Sequence, residues 1–256
     1  RWSVRDAVPG TVLRREMEVY AGFLEFPDHQ DGRLLETIEK IGAMENTLIY
    51  YIIGDNGASA EGGVNGCYNE MGYFNGLQAL ETPEYLAARL DKLGGPESYN
   101  HYAVGWAHAM NTPYQWTKQV ASHWGGTRNA TVVHWPNGIQ ARGEVRTQFT
   151  HVIDVAPTIL EAAKLPQPAS VNGIQQDPIE GTSMLYSFND GKAPEQHDVQ
   201  YFEIMGNRGI YYKGWSAVTK HYTPWVRGKN PAFDDDVWEL YDGSKDWTQA
   251  KDLAAQ

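Results

Sequence analysis

Asn46-Thr47-Leu48-Ile49-Tyr50-Tyr51-Ile52-Ile53-Gly54-Asp55-Asn56-Gly57 is the stretch on which the fold turns. Residues 48–53 are apolar or aromatic at every position, with no polar alternation. A strand with that pattern is one buried on both faces. It stops at Gly54-Asp55-Asn56-Gly57, a cluster of turn formers. Upstream, residues 11–45 carry helix-spaced apolar positions: Leu13, Met17, Tyr20, Leu24 and Phe26, then Leu34, Leu35, Ile38 and Ile41. Pro27 and Gly32 predict a break or kink between the two sets. A helix, a doubly buried strand and a polar turn make the αβ unit of a parallel sheet. The reading is therefore α/β: part of a mixed, mostly parallel sheet flanked by helices, with the 48–53 strand central and fully buried.

Downstream, residues 58–112 are rich in Gly, Asn, Tyr and Ala and read mainly as long loop. Thr82-Pro83-Glu84 looks like a helix start for residues 85–93. The aromatics from Tyr68 to Trp106 argue against disorder there. Pro113 predicts the start of a short helix carrying Lys118, ended by Gly125-Gly126. Residues 131–135 read as the next strand. Asp154 reads as the N-cap of a helix over 155–165, with Pro157 tolerated in its first turn. Residues 166–198 are loop-rich. Short runs at 200–204, 209–212, 215–219 and 237–241, separated by turn signals, predict an antiparallel meander. The division drawn from this is 1–195 as part of an α/β domain and 196–256 as a small antiparallel-sheet subdomain.

The chain of 256 residues carries a formal net charge of −11 and a pI near 5.1. That surface repels phosphate backbones, so no nucleic-acid partner is expected. A site for an anionic ester must then generate its own positive field, from a metal or from Lys and Arg. No apolar run approaches the roughly 18 residues of a membrane span. Cys67 is the single cysteine, which rules out an intrachain disulfide. The first residue is Arg1 and no signal-peptide pattern follows, so the N-terminus reads as cut or processed. Periplasmic, secreted and cytoplasmic locations all stay open, as does the oligomeric state.

Asp55 and Asn56 are the leading candidates for chemistry. Ligands of open α/β sheets bind beyond the carboxyl ends of the strands. A carboxylate and a carboxamide there suit a hard cation such as Ca²⁺ or Mg²⁺. The same residues would also make an ordinary turn.

The longer string 46–63, ending Asp55-Asn56-Gly57-Ala58-Ser59-Ala60-Glu61-Gly62-Gly63, follows the helical block 32–39. Together they resemble the metal-site segment of the sulfatase family. The resemblance continues through Lys118-Gln119-Val120-Ala121-Ser122-His123-Trp124-Gly125-Gly126-Thr127-Arg128. It runs on through blocks at 132–136, 153–160, 180–183, 238–242 and 252–254, in family order. It is nearest to the bacterial arylsulfatase branch of the alkaline-phosphatase-like superfamily.

The resemblance implies that Asp55 and Asn56 ligate a divalent metal, Ca²⁺ or Mg²⁺. It implies that Lys118 contacts the sulfate group, as a point cation against an ester oxygen and hence as a catalytic and substrate-binding residue. His123 and Arg128 flank the same Gly-Gly turn and take structural roles in this reading. The family converts a cysteine or serine in Cys-x-Pro/Ala-x-Arg to formylglycine, whose hydrate attacks sulfur. Cys67-Tyr68-Asn69-Glu70-Met71 departs from that motif at Asn69 and Met71 and follows the Asp-Asn block instead of preceding it. Cys67 is therefore read as a small loop or core residue. The formylglycine, the family's Asp-Asp pair and a further Lys and His are expected in a missing N-terminal part. Asp234-Asp235-Asp236 reads as a solvated acidic loop, and His151 is given no catalytic role.

The expectation is a sulfuric ester hydrolase, arylsulfatase-like, present as a fragment inactive on its own, with a small sulfate ester or a sulfated glycan as substrate. A phosphoester or phosphonate hydrolase of the same superfamily is the alternative within catalysis. A non-catalytic module binding a metal or an anion is the alternative outside it.

Overall fold

The computed structural model describes residues 10–226, 228 and 231–255. The chain opens with helix α1 (Gly10–Lys40), 31 residues without interruption. The break expected near Pro27 is absent. Residues around Pro27 are largely exposed, so water can take the carbonyl that proline leaves without a donor. The first part of α1 builds the core. Val12 and Glu16 are fully buried, and Val12 packs with Tyr68, Leu86 and Leu93, flanked by Leu13, Val19, Tyr85 and Leu90. Trp106 Nε1 donates to Leu13 O at 2.9 Å, and Tyr20 meets Tyr102 edge-on at 4.8 Å.

Strand β1 (Ile49–Ile52) pairs antiparallel with β2 (Thr131–His134), Tyr50 opposite Val133 and Ile52 opposite Thr131. This corrects the central reading of the sequence. β1 is neither in a parallel sheet nor fully buried: Tyr51, Ile52 and Ile53 are 40%, 41% and 53% exposed. The described residues form only antiparallel sheets, one of which is this two-stranded pair. The apolar run encodes a tendency to be covered. Nothing in it names the covering element or the direction of the neighbouring strand.

Between β1 and β2 lie four short helices: α2 (Glu70–Phe74), α3 (Pro83–Ala87), α4 (Val104–Asn111) and α5 (Trp124–Thr127). Thr82 caps α3 as expected, its Oγ1 accepting from Tyr85 N. Residues 113–120 form no helix, contrary to the expectation from Pro113, and Gly125-Gly126 fall inside α5. Lys118 sits on an irregular loop in which Trp116 and Gln119 have φ of 67° and 74°. Two left-handed residues so close together exclude a right-handed helix.

After β2 comes α6 (Val155–Ala162). Asp154 occupies its cap position, but the carboxylate does not cap the helix. It accepts from His151 N, Thr182 N and buried His197 instead. A small hairpin follows, β3 (Ser170–Val171) with β4 (Ile174–Gln175), then α7 (Leu185–Phe188). The meander is present where the sequence predicts it: β5 (Val199–Ile204), β6 (Asn207–Tyr212), β7 (Trp215–Thr219) and β8 (Trp238–Asp242), antiparallel in that order. Tyr211 stacks on Phe149 at 3.9 Å, and Trp124 packs against Phe202 and Tyr211. This sheet therefore backs the loop that carries Lys118. No helix of the described residues is long and apolar enough to cross a membrane.

Candidate functional site

The turn after β1 is shaped by Gly54, whose φ of +81° suits glycine. It delivers Asp55 exposed and Asn56 half-buried. Asn56 Nδ2 donates to Asp55 Oδ1 at 2.9 Å, so the two side chains face each other. Asn129 Nδ2 donates to Asn56 O.

The turn and the Lys118 loop are locked together through backbone. Gly57 N donates to Gly126 O at 3.0 Å, and Lys118 N donates to Ala58 O at 3.1 Å. The approach is so close that a Cβ on Gly57 would stand 1.7 Å from Gly125 O. Asn111, at the end of α4, clamps both sides. Its Oδ1 accepts from Ala58 N at 2.9 Å and its Nδ2 donates to Trp116 O at 3.2 Å.

The meander holds the far side of the Lys118 loop. Asn207, fully buried, donates to Gln119 O at 2.9 Å while its Oδ1 accepts from His221 N and Tyr222 N. Gln249, also fully buried, accepts from Trp124 N at 2.8 Å and donates to Ser216 Oγ at 3.1 Å.

The structure thus brings the loop of Asp55 and Asn56 against the loop of Lys118. It sends the Lys118 ammonium to Glu61, 2.9 Å from Oε2. Glu61 also accepts from Ser59 Oγ at 2.7 Å and from Gln119 Nε2 at 3.2 Å. Burial acts to raise the Glu61 carboxyl, but the hydrogen bonds from Ser59 and Lys118, with the Lys118 and His101 charges, hold it below the usual carboxylate range.

The sequence reading missed Glu61, Asn111, Asn207 and Gln249. Each acts across a long sequence separation. Only Glu61 left a signal, as part of the string that carried the resemblance.

Asp55 and Asn56 fit a hard cation by donor chemistry. Asp55 offers carboxylate oxygens and Asn56 an amide oxygen, the donors a hard cation takes, and here the Asn56 amide nitrogen donates to one of the Asp55 oxygens. They would form part of a coordination shell, since no group of three or more His, Cys, Asp or Glu converges among the described residues.

The other sequence candidates lie elsewhere. Cys67 is a buried free thiol, pushed up to about 12 mainly by burial and by nearby Glu81, which makes it a poor nucleophile. His123 is fully buried between Ser122 Oγ at 2.9 Å and Glu239 at 3.2 Å. Arg128 lies 5.5 Å over the Tyr114 ring. Of the acidic run, Asp236 pairs with Arg208 and His221, so only Asp234 and Asp235 remain a solvated pair. His151 contributes Nδ1 to a helical capping box.

The turn of Asp55 and Asn56 is thus docked on the loop of Lys118 through backbone and Asn111. The family model described as Sulfatase matches residues 3–165, and that described as N-sulphoglucosamine sulphohydrolase, C-terminal, matches residues 115–256. The chain belongs to the sulfatase family. It is 30% identical over 246 residues to an uncharacterised sulfatase of Schizosaccharomyces pombe, covering 94% of this chain and 40% of that protein. It is 32% identical over 150 residues to an arylsulfatase of Klebsiella aerogenes, covering 57% of this chain and 29% of that protein. Among solved structures, Ps i-CgsB aligns with a TM-score of 0.54 and 19% identity, over 92% of this chain and 38% of that one. A protein from a glycosaminoglycan-metabolism locus of Bacteroides thetaiotaomicron aligns at 0.51 and 17%, over 88% and 38%. These last two share the fold. The chain spans 29–40% of the length of the curated relatives it matches.

Proposed function

We propose that this chain is the part of a sulfuric ester hydrolase that binds the substrate's sulfate group, completed by further polypeptide that supplies the nucleophile. One observation carries the reading: the turn of Asp55 and Asn56 and the loop of Lys118 are docked on each other by Gly57 and Asn111. Asp55 and Asn56 would hold a divalent cation, Ca²⁺ or Mg²⁺, which when bound draws charge from the sulfate oxygens. Lys118 orients the ester and offsets charge that develops on the oxygen leaving sulfur. The nucleophile, formylglycine by family resemblance, has no matching motif around Cys67.

Two apolar surfaces support the need for further polypeptide. On α1, Phe23, Phe26 and Leu34 are 61–66% exposed. On the β1–β2 pair, Ile53 and Val132 are 53–54% exposed. A two-stranded sheet of this kind is marginal by itself, and relatives of more than twice this length have the chain to cover it. The substrate class is a small sulfate ester or a sulfated sugar. The arylsulfatase relative favours the first and the sulphohydrolase C-terminal match favours the second.

The test compares the 256-residue chain with a longer polypeptide that adds the upstream sulfatase segment, each with the formylglycine-generating enzyme and Ca²⁺. The longer form is expected to hydrolyse aryl sulfates or sulfated monosaccharides, and the shorter form to match a buffer control. In the longer form, Asp55→Ala is expected to lose metal and activity together. Lys118→Ala is expected to lose turnover with the metal still bound. Metal-dependent turnover by the shorter chain sinks the proposal.

A further inference from the structure

Resting on the reading of Lys118 as the sulfate contact, we propose that Glu61 is a specificity-determining residue. Its carboxylate, held against the Lys118 ammonium, tunes the site to monoanionic sulfate esters and against dianionic phosphate esters.

The geometry is that of a built pair. Glu61 Oε2 lies 2.9 Å from Lys118 Nζ, and the two side chains are 13% and 35% exposed. Ser59 Oγ donates to the carboxylate at 2.7 Å and Gln119 Nε2 donates at 3.2 Å. Gln119 is itself fixed, with φ of 74° and its carbonyl held by buried Asn207. The carboxylate is therefore held from three directions, and three different residues of two loops define its place. An ammonium has three donors, so Lys118 can keep Glu61 on one and offer another to an ester oxygen. The His101 charge acts on the Glu61 carboxyl in the same direction as Lys118, lowering it. Lys220, the cation over the Trp116 ring at 5.2 Å, donates to Thr223.

The chemistry follows from counting charge. Lys118 alone would favour a dianion over a monoanion of the same shape. Glu61 cancels that advantage, because each added negative charge on the ligand is attracted by the ammonium and repelled by the neighbouring carboxylate. A sulfate monoester carries one negative charge. An aryl phosphate carries nearly two above its second ionisation near pH 6. A charge held within about 6 Å in a partly buried site shifts the binding of one further ligand charge by on the order of tenfold. The acidic balance of the chain, −11 overall, adds to the discrimination at long range.

The experiment measures acetylation of Lys118 in the full chain by peptide mass spectrometry at pH 8, with three competing ligands. Phenyl sulfate and phenyl methylphosphonate carry one negative charge, and phenyl phosphate carries two. The protection constants give a phosphate-to-sulfate ratio for each variant. In Glu61→Gln, which keeps size and an oxygen acceptor for Ser59, the ratio is expected to rise about tenfold toward phosphate. Glu61→Asp, which keeps the charge, is expected to leave it near wild type. Phenyl methylphosphonate is expected to follow phenyl sulfate throughout, because charge and not the element at the centre decides. A purely structural Glu61 would move all three ligands together. An unchanged ratio in Glu61→Gln, or a phosphonate that follows phosphate, overturns the inference while leaving Lys118 as the anion contact. If no ligand protects Lys118 in any variant, the reading of Lys118 falls, and this inference with it.

Discussion

Glu16 shows how one buried residue sets a property of the whole protein. It is fully buried on α1, accepts from Ala103 N at 3.2 Å, and leaves its other carboxylate oxygen unpaired. Burial pushes its carboxyl up to about 8, with nearby Glu81 acting in the same direction. A carboxyl raised in the folded state favours folding most below its unfolded value. That stability is then lost as pH rises toward the folded value. Urea unfolding is therefore expected to show stability falling between about pH 4.5 and 8, by on the order of 1 kcal/mol per pH unit. Glu16→Gln is expected to flatten that slope; a slope unchanged in the variant would assign it to another group. Asn111 carries a different kind of weight, because it satisfies a donor on one loop and an acceptor on the other. Asn111→Ala strands both and is expected to cost about 2–3 kcal/mol in the same measurement.

At the scale of elements, Gly57 is the point where two loops touch. An added methyl there collides with Gly125 O and crowds Lys118 N. Gly57→Ala is expected to lower stability by about 2–4 kcal/mol and to separate the turn of Asp55 from Lys118, readable as faster acetylation of Lys118. An alanine variant with wild-type melting and wild-type acetylation would show that the contact is loose. The two sheets should also differ. The four strands β5–β8 are paired in a continuous meander and packed through Tyr211 and Trp124. Among the described residues the β1–β2 pair has no further strand on either edge, and it carries exposed apolar residues. Hydrogen exchange is expected to be at least tenfold slower in β6 and β7 than in β1 and β2. Equal protection would mean that β1–β2 is covered in solution.

For the whole molecule, α1 and the β1–β2 pair both present exposed apolar residues. The chain alone is expected to bind a hydrophobic dye such as ANS strongly and to self-associate with rising concentration. The longer polypeptide of the proposed function should do neither. Sedimentation that finds a clean monomer with no dye binding would mean these surfaces are satisfied within the chain.

What the sequence determined by itself was local. The meander was legible because each strand has its own short apolar run, and turn residues such as Gly206 and Gly214, both at positive φ, separate them. The helix over 10–40 was legible from its spacing, although Pro27 argued wrongly for a break. The family was legible from the string around Asp55 and Asn56 and from its order with the later blocks. Tertiary structure decided the rest. The apolar run of β1 expressed a need for cover but did not say that β2, nearly eighty residues on, would pair with it antiparallel. The conformation around Lys118 came from outside too. Trp116 and Gln119 are held left-handed by Asn111 and Asn207, against their local preference for a right-handed turn. Glu61 looked like one acid among many until the fold brought Lys118, 57 residues away, onto its carboxylate. Periodicity reports how a residue relates to its own element, whereas a site is made of contacts between elements, and those are settled only when the loops dock.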